Sequence, residues 1–283
     1  MTLIPNNTSR HRRSFALLAP KASDVTPFKD VTTDLALHGH LLGEAQKLRG
    51  KSYLELGALD SSQLATDGRH VYDADDRSWH LLTLDSDGQV LACLRYLAHP
   101  STALYSDLVV AHSELAKSET WGPTLQAAVE EELKQARRRG CSYVEMGGWA
   151  IAEALRCTTE ALRMIVTAYA LAQLSGGALG LTSATLRSCS ASILRRIGGR
   201  RLAVDGVELP AYSDSQYRSI ELEILSFDSS RPNLRYRKWM EESQAQLRDM
   251  PVIRQTADKS EFNFVLTRKL AFGPSQFVGE LAS

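Results

Sequence analysis

Residues 142–151 read Ser142-Tyr143-Val144-Glu145-Met146-Gly147-Gly148-Trp149-Ala150-Ile151, a pattern that predicts a strand. Side chains alternate along a strand, so Tyr143, Glu145, Gly147 and Trp149 share one side. A carboxylate in so apolar a strand needs a partner, a water or a function, because burying a lone charge is expensive. Two readings stay open: a structural glutamate paired with an arginine in the sheet, or a proton acceptor at a site. Beside it, Gly147-Gly148 gives bare backbone, along which a ligand chain can approach the strand edge.

Working outward, residues 153–174 predict a helix that is apolar on most sides (Leu155, Leu162, Ile165, Val166, Leu171, Leu174) and therefore buried, with Gly176-Gly177 as its stop. A strand over 178–186, a short helix over 188–197 and a half-buried strand over 218–225 follow. Upstream, Pro123 and Gly140 bracket a helix over 123–139, in which Glu130, Glu131 and Glu132 precede Arg137, Arg138 and Arg139. That arginine run reads as a solvated helix end. Two apolar runs, 80–84 and 90–97, flank Asp85-Ser86-Asp87-Gly88, a hairpin signal. Leucines 35, 37, 41, 42 and 48 mark a helix over 32–50, and a polar helical segment follows Pro232 over about 232–248. Short strands alternating with helices make a mixed α/β sheet in one domain. The expected organisation is a flexible tail over 1–30, one domain over 31–228, and a helical C-terminal extension and tail over 229–283.

Composition sets limits. The 283 residues are 43% hydrophobic and 23% charged, ordinary for a globular protein. Lysines plus arginines equal aspartates plus glutamates at 33 each, so no global field favours nucleic acid and any anion site must be local. The basic cluster at Arg10, His11, Arg12 and Arg13 reads as part of a solvated tail. Cys93, Cys141, Cys157 and Cys189 form no CxxC pair and read as small buried hydrophobes in a reducing compartment. No apolar run approaches the ~20 residues of a membrane span, and the basic N-terminus with its short apolar run before Pro20 is not a signal peptide, so the expected location is cytoplasmic.

Three clusters carry chemistry. The first is the strand around Glu145. The second is Arg156-Cys157-Thr158-Thr159-Glu160-Ala161 at a helix start, where free N–H groups and two hydroxyls suit a phosphate, or where Thr158 or Thr159 simply caps the helix. The third is Asp73-Ala74-Asp75-Asp76 with Trp79 and His80, leading to Arg95 on the next strand. The acids read as turn chemistry or as a site, and an arginine inside an apolar strand asks for a carboxylate nearby. There is no nucleophile elbow, P-loop, HExxH or GxGxxG after a strand, and the histidines lack metal-ligand spacing. Those absences suit direct attack of an amine on a thioester.

In this order the clusters resemble the GNAT superfamily, in its acyl-homoserine-lactone synthase (autoinducer synthase-like) and N-acyl amino acid synthase branch, from about residue 45 to 226. Leu48-Arg49-x-x-x-Tyr53 resembles the branch's Arg-x-x-x-Phe element. Tyr72-Asp73-x-x-Asp76-x-x-x-His80 with Gly88-x-Val90-x-Ala92-Cys93-x-Arg95 resembles its Asp-x-x-Asp segment and following strand, and Val144-Glu145-x-x-x-x-Ala150 its acidic strand. The resemblance implies a mostly antiparallel mixed sheet whose central splayed parallel strands, 142–151 and 178–186, grip a pantetheine arm. It implies an acyl-CoA or an acyl-phosphopantetheine on acyl carrier protein as co-substrate, and no metal. Arg156-x-x-Thr159-x-Ala161 stands at the pyrophosphate loop, with threonine where glycine is usual, which favours a donor with a single phosphate. Gly148 stands where the lactone branch has an arginine, and Ile193 to Gly198 lacks the tyrosine that many N-acetyltransferases use as general acid.

The resemblance further implies Glu145 as base, with Arg95, Asp73 and Asp76 in a charged catalytic network. Gly147, Gly148, Trp149, Arg156, Thr158, Thr159 and Ala161 would contact the donor, and Arg49, Tyr53 and His80 the acceptor or acyl side. Arg187, Arg195, Arg196, Arg200 and Arg201 form a segment without acids that either docks an acidic carrier protein or is a solvated helix face. The expected activity is transfer of a long acyl chain to the amine of an amino acid or similar metabolite. Acetyl transfer from acetyl-CoA, or acyl binding without catalysis, are the alternatives.

Overall fold

The computed structural model describes residues 13–255. In chain order it runs β1 (Ser14–Ala19), β2 (Val31–Thr33), α1 (Leu35–Glu55), β3 (Trp79–Leu84), β4 (Val90–His99), α2 (Gly122–Arg139), β5 (Ser142–Ile151), α3 (Glu160–Leu174), β6 (Ala178–Thr185), α4 (Ser190–Ile197), β7 (Arg200–Arg201), β8 (Ala203–Val204), β9 (Val207–Glu208), β10 (Tyr212–Asp214), β11 (Ile220–Asp228), α5 (Arg237–Arg248) and β12 (Val252–Arg254). Ten strands form one sheet in the order β10-β11-β6-β5-β4-β3-β1-β12-β2, with β7 also on β11, while β8 and β9 make a separate ribbon. The mixed α/β expectation holds. Pairing is antiparallel except for β5 with β6, β1 with β12 and β12 with β2.

Both ends of the described chain enter this sheet, which corrects the expected tail over 1–30. Phe15-Ala16-Leu17-Leu18-Ala19 is too apolar to stay in water, and Leu17, Leu18 and Ala19 are fully buried between β3 and β12. The C-terminal segment supplies α5, as expected, and also β12, which lies between β1 and β2. Of the basic N-terminal cluster, Arg10, His11 and Arg12 lie outside the described residues. The cysteine expectation holds for Cys93, whereas Cys157 and Cys189 are exposed.

Local signals explain the helices. Asp34 caps α1 by accepting from the Leu37 N–H at 2.9 Å. Pro123 sits in the first turn of α2, and Gly140 closes that helix at φ 65°. α3 begins at Glu160, later than expected, because residues 153–155 form a separate 3-10 turn and Cys157 has a φ of 59°. One face of the sheet packs on α1 and α2, and the other on α3, α4 and α5.

The β5–β6 contact is tight at Gly180, where an added Cβ would lie 2.1 Å from the Val144 carbonyl oxygen and 2.7 Å from the Phe227 ring. Gly180→Ala is therefore expected to cost at least about 1–3 kcal/mol. A fall of several degrees in the thermal midpoint checks this, and an unchanged midpoint contradicts the packing.

Candidate active site

β5 and β6 pair in parallel from Ser142↔Ala178 to Met146↔Thr182 and no further, although β5 runs on to Ile151 and β6 to Thr185. Beyond that point the strands splay. On the other side of β5 the register with β4 jumps: Cys93 faces Ala150 and Arg95 faces Gly147, so Gly148 and Trp149 together oppose Leu94. This is a β-bulge, and bulges turn a strand away from its neighbour. Gly148 has φ 60°, and a Cβ there would meet Arg49 Nη1 at 2.9 Å and Arg95 Cβ at 3.2 Å. The glycine is required twice, by backbone and by space.

The splay opens a cavity of about 470 Å³. Its lining includes Met146 and Leu194 from one side of the sheet and Glu145, Leu108 and Val110 from the other, so the opening passes through the sheet. Leu181, Leu222 and Trp149 add apolar wall, and Tyr53, Tyr72, Tyr217, Arg95 and Asp214 gather polar groups along it.

Behind this wall lies a buried ion cluster. Arg49, on α1, donates to Asp75 through Nη2 (2.6 Å) and Nη1 (3.2 Å), and through Nε to the His70 carbonyl (3.1 Å). Asp75 also accepts from Gln46 Nε2 (2.9 Å) and from the Tyr72 N–H (3.0 Å). Arg95 Nη1 stands 3.6 Å from Asp75, with its Cζ 4.5 Å above the Tyr72 ring. The acid of the network is thus Asp75, whereas Asp73 and Asp76 are exposed, Asp73 at the cavity rim. Of three acids within four residues, Asp75 alone faces inward, a direction that a 3-10 turn over Asp75–Arg77 sets and spacing does not reveal. His80 is buried with its Nε2 2.9 Å from the Asp75 carbonyl oxygen and, like Arg49, is not part of the lining, so both support the wall from behind. Tyr53 does line it.

Burial acts to raise the Asp75 carboxyl, but hydrogen bonds and charge from Arg49 outweigh it and hold the group at about 2. Desolvation lowers His70 and His80 to about 4, and burial pushes the Cys93 thiol to about 11. Near neutral pH the cluster therefore carries two guanidinium charges against one carboxylate.

Glu145 is not a free carboxylate. Val109 and His99 Nε2 meet its Oε2 at 2.8 and 2.9 Å, and the Val110 N–H donates to Oε1 at 2.9 Å. Its partners come from a neighbouring strand and from the segment 109–112, for which the sequence offered no motif; no arginine pairs with it among the described residues. The carboxylate fastens that segment to β5 as a wall of the cavity.

The expected donor contacts divide. Gly147, Gly148 and Trp149 line the cavity. Arg156 is exposed and taken by Glu55, and Thr158 and Thr159 are exposed. Thr158 Oγ1 accepts from the Glu160 N–H at 3.2 Å as a local turn bond, while the N-cap residue Thr159 makes no side-chain cap bond. Ala161 lies in the first turn of α3 beside Glu160, a buried carboxylate that accepts from Thr83 Oγ1 (2.7 Å) and pairs with Arg163 (3.2 Å) and Arg13 (3.5 Å). An acid already stands at this helix start. All five arginines of the segment are exposed; Arg195 and Arg201 are both held by buried Glu223 from β11, Arg187 reaches the Leu56 carbonyl at 3.4 Å, and Arg196 and Arg200 have no side-chain partner among the described residues.

Comparison with solved structures places this architecture. A CoA-dependent acyl-homoserine lactone synthase, BjaI, solved with SAM and isopentyl-CoA, aligns over 89% of this chain and 100% of its own at 14% identity and a TM-score of 0.51. The same synthase with MTA aligns over the same shares at 13% identity and a TM-score of 0.50. The chain has the acyl-homoserine-lactone synthase fold. FeeM, an N-acyl amino acid synthase from uncultured soil microbes, aligns over 79% of this chain and 94% of its own at 11% identity and a TM-score of 0.46. No family profile and no curated protein matches the chain. In this version of the synthase fold, Gly148 lies against Arg49 and Arg95.

Two outcomes are expected. Below pH 6.5 the unfolded chain takes up protons on His70 and His80 that the folded chain refuses until about 4, and below 3.8 the same holds for Asp75 until about 2. For these three groups the unfolded state binds more protons in both windows, so they lower stability as pH falls, by roughly 3 kcal/mol for His80 alone, while Glu132, raised by burial to about 7, partly offsets them between 7 and 4.5. Calorimetry should show a midpoint that is level above about pH 7 and drops in two stages below it. In Glu145→Gln an amide NH2 replaces one acceptor, leaving a backbone donor unmet at a cost of about 1–3 kcal/mol. Faster hydrogen exchange at amides 109 and 110 checks this assignment, and unchanged protection there refutes it.

Proposed function

We propose that the chain is a GNAT-type N-acyltransferase that moves a long acyl group from a phosphopantetheine thioester to the amine of an amino acid or similar small metabolite. One observation carries this reading: β5 and β6 part after Met146↔Thr182 and open onto a through-sheet cavity. An extended amide-bearing arm can add to such a strand edge through main-chain hydrogen bonds. Backbone around Gly147 and Gly148, kept bare by the bulge, is placed to receive the thioester and stabilise developing charge on its oxygen. Leu108, Val110, Met146, Leu181, Leu194 and Leu222 offer the apolar surface that a long alkyl chain needs.

Carrier protein is favoured over coenzyme A as the donor. The start of α3 already holds the Glu160 carboxylate, and the Arg156 side chain is engaged by Glu55. A second anion there would meet like charge, whereas a single phosphate seated further out would not. Arg196 and Arg200, exposed and without a side-chain partner among the described residues, are the cations free to meet an acidic carrier. Glu145 positions the cavity wall, and Arg49, Asp75 and His80 position Arg95 and Tyr72 along it.

The reading is tested by offering acyl donors from acetyl to hexadecanoyl, on carrier protein and on coenzyme A, and following amine-dependent thiol release. Turnover should rise with chain length and favour the carrier-linked series. Turnover with acetyl-CoA alone would replace it with the short-chain N-acetyltransferase reading, and tight acyl binding without turnover would make the chain a binding module.

A further inference from the structure

Two hydroxyls stand together in the cavity wall. Tyr72 comes from the loop before β3 and Tyr217 from the 3-10 turn between β10 and β11. Both line the cavity, and their hydroxyls hydrogen-bond each other. Neither hydroxyl has another hydrogen-bond partner among the described residues. A tyrosine hydroxyl can donate one hydrogen bond and accept others, so a bonded pair keeps a spare proton at one end and a spare acceptor at the other. The protein itself meets neither.

The pair lies beside the bare backbone of β5. Arg95 Nη2 stands 3.3 Å from where a Cβ on Gly147 would be, and Arg95 Cζ is 4.5 Å from the centre of the Tyr72 ring. Arg49 Cζ lies over the same ring at 4.9 Å. Burial raises the pKa of both hydroxyls, so each holds its proton near neutral pH. The two guanidiniums act the other way on Tyr72, and they stabilise charge that gathers on its oxygen while a proton passes through. Glu145, by contrast, has its carboxylate taken up by three donors.

We propose that Tyr217 and Tyr72 form a proton relay that carries a proton from the attacking nitrogen to the leaving sulfur. This rests on the N-acyltransfer reading above. The amine attacks as its free base, its lone pair forms the C–N bond, and the thioester oxygen takes the charge. As that charge collapses and the C–S bond breaks, the nitrogen gives a proton to the Tyr217 oxygen. Tyr217 passes its own proton to Tyr72, and Tyr72 passes its own to the sulfur. Each turnover yields one amide and one thiol, and each tyrosine ends with a proton. A direct hop from nitrogen to sulfur would close a small, strained ring, and two hydroxyls between them open it. Tyr72 is set on the sulfur side because it is the member next to Arg95 and Gly147.

The test uses the full chain with hexadecanoyl carrier protein as donor, and as acceptor whichever amine in a panel of amino acids and their decarboxylated amines gives the fastest thiol release. Tyr72→Phe, Tyr217→Phe and the double variant keep the rings and remove the hydroxyls. Each should lose roughly 100-fold in kcat with KM little changed, and the double variant should lose no more than either single one, because the two act as a unit. The phenyl thioester of hexadecanoic acid is then offered as donor, since its acidic thiol leaves without a proton. Most of the loss should vanish with it. Wild-type kcat in either single variant overturns the relay while N-acyl transfer stands. An equal loss with both donors also overturns it, and makes the tyrosines parts of the wall. No product from any amine strikes the N-acyltransfer reading itself, and the relay with it.

Discussion

The ion pair between Arg49 and Asp75 locks the loop after α1 against the helix and, through Asp75, against β4. Arg49 comes from α1, Asp75 from the loop after it, and the Asp75 carboxylate reaches Arg95 on β4. Taking these charges out of water is expensive, and the cost is offset only because Asp75 accepts from four donors across Gln46, Arg49 and Tyr72. The cluster fixes where the Tyr72 ring and the Arg95 guanidinium stand. It also sets the need for glycine at residue 148, since Arg49 and Arg95 fill the space a side chain would occupy.

Much of the frame was legible in the sequence. β5 was read to the residue, because alternation, apolar character and the Gly-Gly pair coincide over Ser142–Ile151. α2 was marked by Pro123 and Gly140. The splayed pair was legible only through the family resemblance, since nothing in local pattern says where parallel pairing stops. β1 was missed because the apolar run Phe15–Ala19 is short, shows no alternation, and finds its strand partners only far along the chain.

The site was legible in part. Arg95 stood out as a cation inside an apolar strand and Arg49 through the family resemblance, and both are buried. Asp75 was hidden between Asp73 and Asp76, because three adjacent acids differ only in the direction a turn gives them. Glu145 was singled out correctly as an unusual carboxylate, yet its partners were backbone N–H groups of Val109 and Val110, which no side-chain motif can announce.

The position of β12 between β1 and β2 has a consequence for how the protein is made. Leu17 pairs with Val252, and Val31 pairs with the same residue from the other side. As the chain leaves the ribosome, β1 and β2 must wait for β12 before that side of the sheet can close. Pairings so distant in sequence form slowly, and until then β1 presents an unpaired apolar edge. The nascent chain therefore passes through a stage in which the β5–β6 cleft can be complete while its N-terminal flank is still open. In that interval the flank, and not the β5–β6 cleft, is the surface most exposed to chaperones and to aggregation.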